Sequence, residues 1–275
     1  MPEDLLSAEA SIRLFAFGGS LLLLIAAEAL WPRRAVMREG RWFSNLSLAV
    51  LNTLLLRFAF PLLAVGWAIQ IETRHWGFLQ SLALPVFVQI LLAVVLLDCV
   101  IYWQHRLFHR LPWLWRLHRM HHSDVDFDVT TGLRFHPGEM LISMLIKFVA
   151  ITALGTPALA VLIFEIILSS SSLFEHSNLR LPKWLDRRLR WLLVTPDMHR
   201  IHHSVHQTEH DSNYGFNFSF WDRLFGSYTA QPRDGQLGMR IGLQRFRDPS
   251  DQRLHRLLLQ PITRSRASTT PHSDV

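Results

Sequence analysis

The chain has 275 residues, 49% of them hydrophobic and 18% charged, with a net charge of +6; this balance is too apolar for an ordinary soluble domain. Its excess of arginine would suit nucleic acid, but the basic residues flank apolar runs and no nucleic-acid motif accompanies them, so they are read as facing anionic lipid headgroups. The single cysteine, Cys99, excludes a disulfide framework and a CxxC metal knuckle, which leaves histidine and carboxylate as metal ligands.

In chain order, acidic Glu3, Asp4 and Glu9 precede the first apolar run, where a cleavable signal would be basic, so the run at about 11–31 reads as a retained anchor stopping at Trp31 and Pro32. A basic loop with Arg33, Arg34, Arg38 and Arg41 follows. The second run, about 46–71, is of spanning length although Arg57 and Pro61 interrupt it, and the third covers about 82–102 with Asp98 near its end. A fourth, 141–174, is broken by Gly155, Thr156 and Pro157 and reads as a helical hairpin. Three regions result: spans at 1–102, a histidine-bearing catalytic region at 103–240 that includes the hairpin, and a basic tail at 241–275, disordered beyond about 262. Only Arg74 stands in the loop at 72–81, so the count of arginine and lysine places the N-terminus outside and both histidine-rich segments, 103–140 and 175–275, on the cytoplasmic side. The fold class expected is an all-α integral membrane protein of about four transmembrane helices, one a broken hairpin, under a cytosolic helical cap carrying a histidine-rich dimetal site.

Twelve of the fifteen histidines lie between residues 105 and 210. His105 and His109 form HxxxH; His118, His121 and His122 form HxxHH, as do His199, His202 and His203. Spacings of i, i+3 and i+4 put each set on one helix face. Neutral imidazole suits iron, copper, zinc and nickel, and so many exceed the needs of one ion, so two ions are implied. A site beside the membrane without HExxH favours iron and oxygen activation, with zinc left open. Asp124, Glu139, Glu175 and Asp197 are placed to orient imidazoles through their second nitrogen, Asp197 foremost. His206 and His210 read as facing solvent or standing behind the ligands.

The strings DCVIYWQHRLFHRLPWLWRLHRMHHSD, RFHPGE, FEHSN, TPDMHRIHHS and DSNYGFNFSFWDRLFGSY occur in that order. Over about residues 98–230 the sequence resembles the fatty acid hydroxylase superfamily, specifically its bacterial sterol desaturase-like members. The resemblance implies two metal ions held by His105, His109, His118, His121, His122, His199, His202 and His203. It adds His176 of FEHSN as a further ligand, where some members carry an HxxxH pair. It places His136 of RFHPGE at a turn near the substrate mouth or on the metal, and Asp211 and Asn213 of DSNYG beside the site. Trp221 and Asp222 would pack the cap. The activity implied is that of a non-haem di-iron oxygenase of the bacterial inner membrane, its site on the cytoplasmic side. It would take O2 as co-substrate and electrons from a separate donor protein to hydroxylate or desaturate a lipid of sterol or fatty acyl type.

Two other classes of membrane metalloprotein fit the sequence less well. In a histidine-rich metal transporter or sensor the ligands would lie within the spans, whereas here they follow the apolar runs. A membrane metallohydrolase calls for a carboxylate base within the motif and about three protein ligands per zinc.

Overall fold

A computed structural model describes residues 2–37 and 40–263; Arg38 and the tail beyond Thr263 lie outside them. Among the described residues the chain is helical, with three isolated β-bridges and no sheet. The long helices are α1 (Pro2–Leu30), α2 (Arg41–Ala59), α3 (Ala64–Thr73), α4 (Val86–Arg110), α6 (Pro137–Leu154) and α7 (Ala158–Glu175), and α5 (Pro112–His122) links α4 to the hairpin. Short helices follow: α8 (Lys183–Leu189), α9 (Pro196–His202), α10 (Gln207–His210), α11 (Phe220–Leu224), α12 (Gly235–Gly238) and α13 (Leu254–Leu259).

Among the described residues, five stretches are long and apolar enough to cross a membrane: Ser7–Leu30, Arg41–Thr73, Val86–Arg110, Pro137–Leu154 and Ala158–Glu175. They correspond to the three expected spans and the two legs of the expected hairpin. Their outward faces carry large exposed apolar side chains such as Phe15, Leu22, Leu23, Phe58 and Val149, a surface suited to lipid and unsuited to water. The second stretch breaks into α2 and α3 around Pro61, whose ring removes a backbone donor and crowds the preceding turn. At the hairpin, α6 ends on Gly155 with φ +66°, its N–H donating to the Ile151 carbonyl at 2.9 Å. A Cβ there would lie 2.3 Å from the Trp76 carbonyl oxygen, so only glycine permits this left-handed cap against the α3–α4 loop.

α7 is the central helix, packed on α1, α3 and α4. It runs parallel to α1, as the Ser20–Ser170 hydrogen bond at 3.0 Å and the Arg13–Glu165 ion pair at 2.7 Å establish. The main core gathers small, aliphatic and aromatic residues of α3, α4, α6 and α7, including Ala64, Ala68, Leu97, Ile151, Ala158 and Phe164. The C-terminal ends of α1, α4 and α7 and the N-terminal ends of α2 and α6 share one end of the bundle, and there the histidines collect.

Two features differ from the sequence reading. α4 does not stop near 102; it continues as one helix through His105 and His109 to Arg110, so the boundary drawn at 102 falls inside it and these two imidazoles ride on the spanning helix itself. Of the arginines of the basic loop, Arg33, Arg34 and Arg41 turn to protein partners and not to lipid. Arg41 is buried, its guanidinium on Asp124 at 2.8 Å and Asp128 at 2.9 Å; Arg33 pairs with Asp197 at 3.0 Å, and Arg34 donates to the Met239 carbonyl. A buried guanidinium needs carboxylates and carbonyls around it, and the turn at 124–131 provides them.

The remaining segments close over that end. Asp98, buried in α4, accepts from Trp221 Nε1 at 2.9 Å and from the backbone of Asn217 and Phe218 at 3.2 Å. This fixes WDRLFG to the bundle, the packing role expected of it. α13 inserts Leu257 against Leu48 and Met120, so the chain up to Thr263 is folded against α2 and α5.

Candidate metal centre

Proline opens the short helices that carry the HxxHH motifs and the helix that carries Glu139. Pro112, Pro137 and Pro196 open α5, α6 and α9, at the position whose missing N–H costs nothing. The Thr195 hydroxyl and the His136 Nδ1 cap α9 and α6.

The nine histidines expected as ligands all meet, in two groups. His105, His109, His118, His122 and His202 form the first; His121, His176, His199 and His203 form the second, and within each group one nitrogen per ring lies within 4.8 Å of the others. The HxxHH sets do not act as units on one face. Adjacent positions on a helix differ by about 100°, so the i and i+4 members of each motif serve one group and the i+3 member the other. His118 and His122 belong to the first with His121 in the second; His199 and His203 belong to the second with His202 in the first.

Most rings are oriented through Nδ1. His105 donates to the Tyr214 carbonyl at 2.9 Å, His202 to the Ser212 carbonyl at 2.7 Å, His176 to the Ser172 carbonyl at 2.7 Å and His121 to the Arg134 carbonyl at 3.3 Å. His118 faces Glu139 at 2.7 Å and His109 faces Asp211 at 3.3 Å. Carbonyls and carboxylates only accept, so these Nδ1 atoms carry the protons and the Nε2 atoms are bare lone pairs. Yet His121 and His176 bring Nε2 to Nε2 at 3.1 Å, and the Nε2 atoms of His105, His118, His202 and His203 are buried without a partner. Lone pairs crowded together and stripped of water are satisfied by a cation placed among them, so the donor set fits two imidazole-ligated metal ions.

Burial pushes His121, His122, His199, His202 and His203 well below 6.5, and neighbouring imidazoles add to the effect. Burial likewise lowers His176 to about 3. At neutral pH these rings are uncharged, the form that ligates metal.

The other expected site residues are placed as follows. Glu139 supports His118, and Asp211 supports His109. Asn213 adopts φ +53° and is pinned by hydrogen bonds to Met198 and Thr229. That left-handed turn, which asparagine tolerates better than most residues, presents the flanking carbonyls of Ser212 and Tyr214 to His202 and His105. Asp124 and Asp197 orient arginines rather than imidazoles: Asp124 holds Arg41, and Asp197 holds Arg33 and Arg200. Guanidinium, with its planar fork of donors, is the stronger partner for a buried carboxylate. His136 turns both nitrogens away from the groups, Nδ1 accepting from Gly138 N and Nε2 donating to the Leu258 carbonyl at 3.1 Å. His206 pairs with Asp234 at the surface. His210 stacks on Trp115 at 5.5 Å. Trp115, which no motif singles out, lies 4.9 Å from His109 and 5.4 Å from His122.

The fatty acid hydroxylase family model matches residues 90–227. The chain is similar to ornithine lipid hydroxylase of Rhizobium tropici, 30% identical over 54% of this chain and 44% of that protein. It is similar to alkylglycerol monooxygenase of Xenopus tropicalis, 29% identical over 58% of this chain and 34% of that protein. Cholesterol 25-hydroxylase of Rattus norvegicus is 24% identical over 82% of this chain and 77% of that protein. The match therefore spans less than half the length of the first two relatives. No solved structure matches the chain.

Proposed function

Because this chain belongs to the fatty acid hydroxylase family, we propose that it is an integral membrane oxygenase that hydroxylates a C–H bond of a bilayer lipid. The observation that carries the proposal is the pair of histidine groups gathered at one end of the bundle, with the Nε2 atoms of His105, His118, His202 and His203 buried and without a partner. Two iron ions, one per group, would supply the activation of O2. One oxygen atom enters the substrate and the other leaves as water, with two protons and two electrons taken up from outside. The electrons would come from a separate donor protein. The relatives named as acting on ornithine lipid, alkylglycerol and cholesterol share a hydrocarbon part, and a lipid of that kind is the substrate proposed here.

The chain's own residues position that hydrocarbon. A groove of about 380 Å³ runs between α4 and α6, lined by Leu96, Cys99, Val100, Trp103, Ile146 and Leu154. At its metal-side end Gln104 donates to Ser143 at 3.0 Å, one residue from His105 and one turn from Glu139. An apolar chain laid in this groove would lose its contacts with neighbouring lipid and present one carbon near the first group; such fixing of distance and angle decides which carbon reacts. The histidine end of the bundle also carries Arg33, Arg34, Arg106, Arg110 and Arg116, while the opposite loop has Arg74, which supports a cytoplasmic site in an inner membrane.

Lipid mass spectrometry on cells with the active chain and with a His202→Ala variant tests the reading. A lipid heavier by one oxygen, labelled when 18O2 is supplied and absent from the variant, is expected. A lipid lighter by two hydrogens would assign desaturation instead, and identical lipid profiles would defeat the proposal.

A further inference from the structure

Glu175 closes α7, next to His176. It is fully buried, and neither of its oxygens meets a hydrogen-bond donor. Its Oε1 lies 3.6 Å from His176 Nδ1, and its Oε2 lies 3.9 Å from His199 Nδ1. The His176 Nδ1 proton already goes to the Ser172 carbonyl, whereas His199 Nδ1 is buried without a partner.

We propose that Glu175 is the positioning residue of the second group, taking the Nδ1–H of His199 so that this ring turns a bare Nε2 to the metal. The two HxxHH motifs are supported in parallel. The first histidine of one, His118, has its Nδ1 on Glu139, in the first turn of α6. The first histidine of the other, His199, has its Nδ1 opposite Glu175, in the last turn of α7. The two legs of the hairpin thus each bring a glutamate to the leading histidine of one motif. Without a cation, His199 Nε2 rests 3.0 Å from His176 Nε2. His176 Nε2 is a lone pair, so the His199 proton sits on Nε2 and its Nδ1 faces Glu175 as lone pair to lone pair. This accounts for the 3.9 Å gap. A cation in the group requires the proton on Nδ1 instead, and closing the gap by about 1 Å then makes a charge-assisted hydrogen bond. A buried carboxylate with nothing to accept is costly, and this acceptor role explains its presence.

The inference rests on the two-metal reading, and iron binding separates the two. The metal-free full chain, its Glu175→Leu and its Glu175→Gln variants are titrated anaerobically in detergent with Fe(II) alone, and the unfolding midpoint of each metal-free chain is measured. The unaltered chain is expected to bind two Fe(II). Glu175→Leu should keep one at unchanged affinity and bind the other about 10- to 100-fold more weakly, the usual cost of losing such a partner. Glu175→Gln, whose amide oxygen still accepts, should stay nearer the unaltered chain. The metal-free leucine variant should unfold at or above the midpoint of the unaltered chain, because it loses a buried carboxyl group that has no hydrogen-bond partner. Unchanged affinity at both sites in the leucine variant, a glutamine variant no better than leucine, or a leucine variant that unfolds early or fails to fold would each overturn the inference. An unaltered chain that binds fewer than two Fe(II) would instead sink the two-metal reading.

Discussion

Each HxxHH motif contributes histidines to both groups, yet the two groups are supported differently. The first group is framed by an irregular loop: the left-handed turn at Asn213 offers the Ser212 and Tyr214 carbonyls to His202 and His105, and Glu139 holds His118. It also reaches the surface, because His109 leans on Asp211, which is 37% exposed, and packs against Trp115. The second group is sealed, with His121, His176, His199 and His203 all at most 2% exposed. Helix ends support it, through the Ser172 and Arg134 carbonyls, and two of its rings, His199 and His203, have orphaned Nδ1 atoms. The first group is therefore held more fully by its neighbours, and the second would leave more of its orientation to a bound metal.

The largest test of this difference removes one ligand from each group. His202→Ala should take the metal from the first group and His121→Ala from the second, each lowering bound iron from two to one per chain and abolishing lipid oxidation, with membrane insertion intact. Elemental analysis of the purified variants measures this. Loss of both ions from either single variant would show that the groups bind as one unit and not as two.

Next in size is Glu139→Leu. It leaves His118 Nδ1 without its acceptor and should weaken the first group's metal by about 10- to 100-fold while sparing the second. Iron titration with the two sites resolved decides it; equal weakening of both would erase the distinction between their supports.

Acid sharpens the comparison at the level of stability. Unfolded imidazoles take up protons near 6.5, but the buried rings of the second group, together with His122 and His202, are held well below that value by burial. Below about 6.5 the unfolded chain thus binds more protons than the folded one, so the stability of the metal-free chain falls as pH falls. Metal should be released over the same range, since protons compete for Nε2. Thermal unfolding of the metal-free chain at pH 7.5 and 5.5 is expected to show the lower midpoint at 5.5, and a midpoint that rises on acidification would contradict the neutral, buried assignment.

The smallest effects concern the loop. Asn213→Ala should destabilise the chain by about 1–2 kcal/mol, through the strained backbone and the lost side-chain hydrogen bonds. Asn213→Gly, free to adopt φ +53°, should cost less and keep the metal of the first group more fully. If alanine and glycine behave alike in unfolding and metal content, the turn does not position the Ser212 and Tyr214 carbonyls. Asp197→Asn, which touches Arg33 and Arg200 and no imidazole, should leave the iron content of both groups unchanged.

The membrane-capable helices were legible in the sequence because hydrophobic length is a local property. The hairpin showed at Gly155–Pro157, and the span broken by Pro61 was visible from its proline. Eight of the nine histidines that gather were legible because imidazoles at i, i+3 and i+4 have a fixed angular relation on any helix, whereas His176 stands alone in its segment and was marked only by the family resemblance. What local spacing left open was the assignment of each ring to a group. His121 and His122 are neighbours in the chain, but they diverge by about 100°, and only the crossing of α4, α5, α9 and the end of α7 decides which group each meets. The orienting partners were illegible for a related reason. Most are backbone carbonyls, of Tyr214, Ser212, Ser172 and Arg134, and every residue type carries one. Carboxylate spacing suggested Asp197 for that role, but once the chain folds Arg33 and Arg200 stand nearer to it than any imidazole. Spacing along the helix thus marked eight of the histidines that gather, and the packing of distant segments chose their companions.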